Sequence, residues 1–247
     1  KVTRFFLAAL TALAIFPLTS VNAKAQEFTE AQKAEIKKMF DEYLLESGAN
    51  ILKSVNTYQA KMEEQDRIEA GKKAQGFVEK IENEKNFPMA GNPKGEITLV
   101  EFFDYNCGYC HKALEEIQTV IKDEKDVKVL FMDMPILGAN SLEAAKWSLA
   151  ANKQGKYFEF HQAVLSHNGE RTEDVLKKIA KDVGLDVDKL MKDKDDEEIA
   201  KTLEDNIAQA GEIGIRGTPG FIIGDQLFPG YIPADQMKQV IAEARKK

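Results

Sequence analysis

Ile97-Thr98-Leu99-Val100-Glu101-Phe102-Phe103-Asp104-Tyr105-Asn106-Cys107-Gly108-Tyr109-Cys110-His111 is the stretch on which the fold turns. Its first seven residues are short, β-branched and aromatic, the pattern of a strand buried on both faces. Beyond Cys110 apolar residues return at helical spacing to about residue 122. Both cysteines of the chain therefore sit where a strand hands over to a helix, and free N–H groups and the dipole at a helix start stabilise a thiolate there. Cys107 is expected to be the acidic, exposed nucleophile. Cys110, one turn further in, is expected to close a disulfide with it across a short loop. With only 2 Cys in 247 residues, neither a multi-disulfide scaffold nor a four-cysteine zinc site is available.

Other chemistries fit the same letters. Cys107-Gly108-Tyr109-Cys110-His111 also matches C-x-x-C-H, the covalent haem attachment signature. Cys107, Cys110 and His111 could likewise hold a metal such as copper, although no clear fourth ligand stands out.

Downstream, residues 127–132 form a second buried strand, so the arrangement is βαβ and the implied pairing parallel. Residues 141–214 read as helical throughout, a helical insertion of about 140–214. Ser141 caps its first helix and Gly155 ends it; Thr172 starts another that carries Leu176 and Ile179 before Gly184; Ile199, Leu203 and Ile207 mark the last. His161, Trp147 and Phe158 are expected to pack inside. Strand signals return at Phe221-Ile222-Ile223 and Gln226-Leu227-Phe228 around a Gly224-Asp225 turn, before a closing helix over 233–245. Thr218-Pro219 stands just ahead of the first of these strands, where a proline is awkward.

Upstream, Phe87-Pro88-Met89-Ala90-Gly91-Asn92-Pro93 is a cluster of helix breakers that reads as a junction between domains. Before it lie two charged helical stretches. Thr29 and Gln32 can form a capping box for the first, with Ile36, Phe40, Tyr43 and Leu44 at helical spacing; Gly48 and Asn50 interrupt it. The second, over 51–83, carries Ile51, Val55, Tyr58 and Met62 as a narrow stripe. Such a stripe stabilises a helix chiefly by packing on another copy, which predicts an oligomerisation stalk; a solvated helix lying on its own domain is the plainer alternative. At the start, Lys1 and Arg4 precede an apolar run over 5–18 that is shorter than a bilayer span, the pattern of a secretory signal cleaved after Ala23, with an uncleaved anchor as the alternative. The expected organisation is a signal peptide (1–23), an N-terminal helical oligomerisation segment and linker (24–92) and a catalytic domain (93–247). Export would place the dithiol in an oxidising compartment.

Composition narrows the partners. Hydrophobic residues are 43% and charged residues 30%, as in globular chains. Acidic residues outnumber basic ones, 41 to 34, and the formal charge of −7 argues against nucleic acid.

The strand, Cys-Gly-Tyr-Cys, helical insertion, Gly-Thr-Pro and final hairpin and helix together resemble the DsbA-type thioredoxin-fold thiol–disulfide oxidoreductases over about 93–247. The resemblance implies an α/β thioredoxin-like fold and no cofactor. It implies that Pro219 is cis and faces the dithiol, that Thr218 offers backbone groups to a substrate strand, and that Glu101 is a buried acid used in proton transfer; the alternative for Glu101 is a solvent-facing strand position. Gly108-Tyr109 and the threonine before the proline are similar to those of disulfide isomerases rather than oxidases, and both residues are expected to meet substrate. The N-terminal helices resemble those of the suppressor-of-copper-sensitivity C group of trimeric isomerases. That likeness implies a periplasmic homotrimer acting on misfolded exported proteins and kept reduced by a membrane thiol reductase. A DsbA-like dithiol oxidase, a c-type cytochrome and a copper carrier remain the competing readings.

Overall fold

The structure, a computed structural model, describes residues 27–82, 84 and 87–246. The signal expected over 1–23 lies outside the described residues. The chain divides into two compact units, 1–59 and 60–247.

The second unit is built on a mixed sheet of β1 (Met89–Gly91), β2 (Ile97–Phe103), β3 (Val127–Asp133), β4 (Gly220–Ile223) and β5 (Gln226–Phe228), in the order β1-β3-β2-β4-β5. β2 and β3 are parallel, as the βαβ reading requires, with Glu101 opposite Phe131 and Phe103 opposite Asp133. β4 returns antiparallel to β2 and turns back into β5. Because side chains alternate along a strand, Leu99, Glu101, Phe103, Val129, Phe131 and Asp133 share one face. That face packs beneath α3 (Gly108–Asp123), α5 (Tyr157–Ser166) and α9 (Ala234–Ala244). Val100, Phe102, Leu130 and Met132 point the other way.

The opposite face of the sheet is covered by residues that precede position 92. α2 (Gly48–Glu82) sets Ala74, Phe77, Val78 and Ile81 against it, and all four are buried together with Ala210, Ile213 and Ile215. The rings of Phe77 and Phe102 lie 5.6 Å apart. Gly71 shows how close the helix lies: a Cβ there would meet the Asp225 carbonyl oxygen at 2.9 Å. The compact unit thus begins at Ala60. The breakers at 87–93 also hide an element, since Met89–Gly91 pairs antiparallel with β3. Three residues between Pro88 and Asn92 carry no periodic signal, and the open edge of β3 decides their conformation.

The insertion comprises α4 (Ala139–Asn152), α5, α6 (Glu173–Asp182), α7 (Val187–Asp193) and α8 (Glu197–Glu212). Thr172 caps α6, its side chain accepting from the Val175 N–H. Ser141 does not cap α4: Gly138 holds that position, and the Ser141 hydroxyl donates instead to Asp104 Oδ1 at 2.5 Å.

The first unit is helical. Thr29 and Gln32 form the full capping box of α1 (Glu30–Glu46), and α2 starts at Gly48 after the single residue Ser47. α1 buries no residue, and Met39, Phe40, Tyr43 and Leu45 are more than half exposed, Leu45 by 84%. Among the described residues no helix is long and apolar enough to cross a membrane.

Candidate functional site

Both cysteines fall at the start of α3, where the strand ends and the first helical N–H groups lack intrahelical partners. Cys107 is the N-cap residue, in extended conformation at φ −80° and ψ 116°. Its N–H donates to the Asp104 carbonyl at 3.1 Å, and its own carbonyl accepts from Cys110 at 3.0 Å. Cys110 lies wholly buried one turn along, and both thiols are free.

The two sulfurs have opposite electrostatics. The Cys110 thiol hydrogen-bonds the Cys107 sulfur, as do the Thr218 hydroxyl and the N–H groups of Cys110 and Tyr109, and together they pull the Cys107 thiol down to about 5 against its burial. Burial, followed by the bond to Cys107 and the nearby Glu101 carboxyl, pushes the Cys110 thiol far up. At neutral pH the pair is one thiolate and one thiol, and Cys107 is the better nucleophile. The expectation that Cys107 is exposed needs correction: only 7% of it reaches solvent. The Thr218 carbonyl lies 3.2 Å from its sulfur, placed to accept from the thiol form. The loop that carries Thr218 thus lies directly against the nucleophilic sulfur. The Thr218–Pro219 peptide bond is cis.

Glu101 is fully buried rather than solvent-facing, and neither carboxyl oxygen has a partner. Burial first, then the charges of Cys107 and Asp133, hold it well above the usual carboxylate range. A carboxyl kept protonated in a dry face beneath a dithiol can give and take a proton. Gly108 leaves the space beside the sulfurs open, since an added Cβ there would meet nothing within 4 Å. Tyr109 is exposed, its ring 5.8 Å from that of Tyr231 and 5.1 Å from the Lys112 ammonium. Tyr231 in turn donates to Glu116 at 2.6 Å, which fixes an aromatic lip beside the dithiol.

His111, the third residue of the metal reading, is engaged within the protein: its Nε2 lies 2.9 Å from Arg171 Nη2 and 3.0 Å from the Tyr105 carbonyl. Among the described residues no three His, Cys, Asp or Glu side chains gather as a metal-binding group. His161 and Trp147 are buried and Phe158 packs against the same core, as expected of all three.

Asp104 and Asp133 were not legible as site residues. Asp104 accepts from the Asn106, Ile136 and Leu137 N–H groups and from Ser141, tying the segment before Cys107 to the β3–α4 loop. Its place three residues before the first cysteine was the available signal. Asp133 had none, because its approach to Glu101 depends on strand register.

A family model described as a DSBA-like thioredoxin domain matches residues 98–242. A thioredoxin-like oxidoreductase from Silicibacter pomeroyi is 39% identical, with a TM-score of 0.65, and the match covers 67% of this chain and 96% of that one. The thiol-disulfide exchange protein alpha-DsbA2 from Wolbachia pipientis is 33% identical, with a TM-score of 0.67 over 72% of this chain and 97% of that one. ScsC from Proteus mirabilis, as a linker-deletion mutant, shares the fold at 24% identity and a TM-score of 0.67, covering 90% of this chain and 99% of its own. The chain spans about a quarter of the length of the curated Na(+)/H(+) antiporters from Salinispora that it matches. The strand-to-helix dithiol and the threonine–proline loop against it lie within the part of the chain that the family model covers, and this chain belongs to the DSBA-like thioredoxin domain family.

Proposed function

We propose that the protein is an exported thiol–disulfide oxidoreductase, acting mainly as a periplasmic protein disulfide isomerase. The Cys107 thiolate attacks one sulfur of a substrate disulfide. A Cys107–substrate bond forms, the substrate's own S–S bond breaks, and the released sulfur leaves as a thiolate that takes a proton from water. In isomerisation a second substrate thiolate attacks the substrate sulfur of this mixed disulfide, and Cys107 leaves as a thiolate with no net redox change. In reduction Glu101 first releases its proton to solvent, then takes the proton of Cys110, which attacks Cys107; two electrons pass to the substrate, whose sulfur leaves as a thiolate, and the enzyme is left as the Cys107–Cys110 disulfide. A membrane thiol reductase would then restore it. Thr218, Pro219, Gly108 and Tyr109 would hold the extended substrate backbone, a mode that reads little sequence.

The observation that carries the isomerase reading is the uncovered apolar set on the N-terminal helices, Phe40, Tyr43, Leu45, Leu52 and Tyr58 among them. Side chains of this size, exposed together on α1 and the first half of α2, call for other copies of the same chain, and we assign a homotrimer. Several dithiols facing one misfolded chain raise the effective concentration of the second encounter. The alternative, a dithiol oxidase, rests on the same thiolate chemistry run from the disulfide form.

Refolding of a scrambled-disulfide protein, run beside light scattering, tests the reading: a trimer that recovers native disulfides supports it, and a monomer that only oxidises reduced substrates favours the oxidase. C107S is expected to abolish exchange and C110S to accumulate mixed disulfides. Reversed roles would overturn the assignment of the nucleophile.

A further inference from the structure

The core beneath the dithiol holds a second acid that the exchange scheme leaves unused. β2 and β3 run parallel with Glu101 opposite Phe131 and Phe103 opposite Asp133, so the two carboxyl side chains share a face two register positions apart. Both are buried. Asp133 Oδ2 accepts from the Tyr157 hydroxyl at 2.7 Å, its Oδ1 has no partner, and Glu101 has no donor at all. The groups that face Asp133 are Glu101 from β2, Asp104 and Tyr105 from the segment after it, Tyr157 from α5, and Asn206 from α8, whose Nδ2 donates to the Asp133 carbonyl; His161 of α5 lies against the rings of Phe131 and Tyr157. Among the described residues none of them is a cation, since burial holds His161 neutral, down at about 3. Burial pushes Asp133 up to about 8 while the Tyr157 hydroxyl holds it down, so both acids are neutral at pH 7; two carboxylates cannot both ionise cheaply in such a face, and as the pH rises the first negative charge settles on the acid that has a hydrogen-bond donor.

We infer that Asp133 takes this first charge in the alkaline range and thereby keeps Glu101 protonated there, as a positioning residue for the proton exchanged with Cys110. The inference rests on the proton-transfer role proposed above for Glu101. When a thiolate attacks Cys107 in the Cys107–Cys110 disulfide, the S–S bond breaks, its electron pair passes to the Cys110 sulfur, and the Glu101 proton moves onto that sulfur. One solvent proton restores Glu101. A charged Asp133 raises the affinity of Glu101 for its proton and brings it closer to the strongly basic Cys110 thiolate, so transfer can run in either direction.

The test is the acid-quenched reduction of the oxidised full-length protein by glutathione across the neutral and alkaline range, corrected for the thiolate fraction of glutathione itself. In the wild type the corrected rate falls where Glu101 loses its proton. In D133N Glu101 ionises without a charged neighbour, and the fall moves to lower pH by about one unit. Y157F removes the donor to Asp133, which then stays neutral to higher pH; Glu101 ionises beside an uncharged neighbour, and the fall again moves to lower pH by a smaller amount. A purely structural role for Asp133 would change the melting temperature and leave the midpoint in place. E101Q is expected to remove the fall altogether. If E101Q keeps it, the Glu101 reading fails. If E101Q removes it while D133N and Y157F leave the midpoint unmoved or raise it, the inference about Asp133 is overturned, and Y157F alone decides should D133N not fold.

Discussion

α1 and the second half of α2 are written in the same style, charged helices with a narrow apolar stripe, and they end in opposite states. Ile36, Met39, Phe40, Tyr43 and Leu45 of α1 are all exposed, whereas Phe77, Val78 and Ile81 of α2 are buried against one face of the sheet. The difference is not in composition. It lies in whether this chain supplies the covering surface, which for Phe77 is Phe102 and its neighbours on β2 and β3. A stripe on a helix states that a face needs cover and leaves open what provides it.

The largest expected effect comes from removing the uncovered region. Deletion of residues 27–59 should leave a folded monomer with dithiol exchange on small substrates and little isomerase activity on scrambled protein, as measured by refolding yield and light scattering. An oligomer, or full isomerisation, after this deletion would erase the functional contrast between the two regions. Extending the deletion to 85 would strip Phe77, Val78 and Ile81 from the core and is expected to unfold the unit.

Point substitutions sharpen the same contrast. Phe77→Ala should destabilise the second unit by about 3–5 kcal/mol in denaturant unfolding, because it leaves a cavity beside Phe102. Phe40→Ala should change that transition by less than about 0.5 kcal/mol while weakening association, seen as a higher dissociation concentration. Comparable losses for both in the second unit's transition would show that α1 is part of that core.

The chemistry belongs to the second region alone. Alkylation of the reduced protein should modify Cys107 with a midpoint at about pH 5, in the full chain and in the 60–247 fragment alike, with Cys110 unreactive until far higher pH. Since the folded protein holds the Cys107 thiol below its ordinary value of 9.0, the thiolate contributes stability that is complete above that value and is lost as pH falls through about 5. C107S should flatten this part of the pH profile, read as melting temperature from pH 5 to 9. The smallest effect is expected at the start of α1, where Thr29→Ala removes one half of the capping box and costs about 1 kcal/mol of helix stability, detectable as fraying by hydrogen exchange.

The dithiol at a strand-to-helix junction, the parallel β2–β3 pair, the Gly224-Asp225 hairpin and the caps at Thr29 and Thr172 were legible from residue order, because each depends on neighbours within a few positions. Other features depended on residues distant along the chain. β1 exists because β3 offers an open edge; Ser141 leaves the cap of α4 because Asp104 gathers donors from three segments; the Cys107 sulfur meets the carbonyl of Thr218, 111 positions away. Glu101 could be suspected from its distance to Cys107, yet its pairing with Asp133 follows only from strand register. Sequence alone thus determined which residue types stand at the helix start and what chemistry they can perform. Tertiary structure decided which groups share the dry face beneath them, because burial and charge coupling arise between side chains that the fold, and not the chain order, brings together.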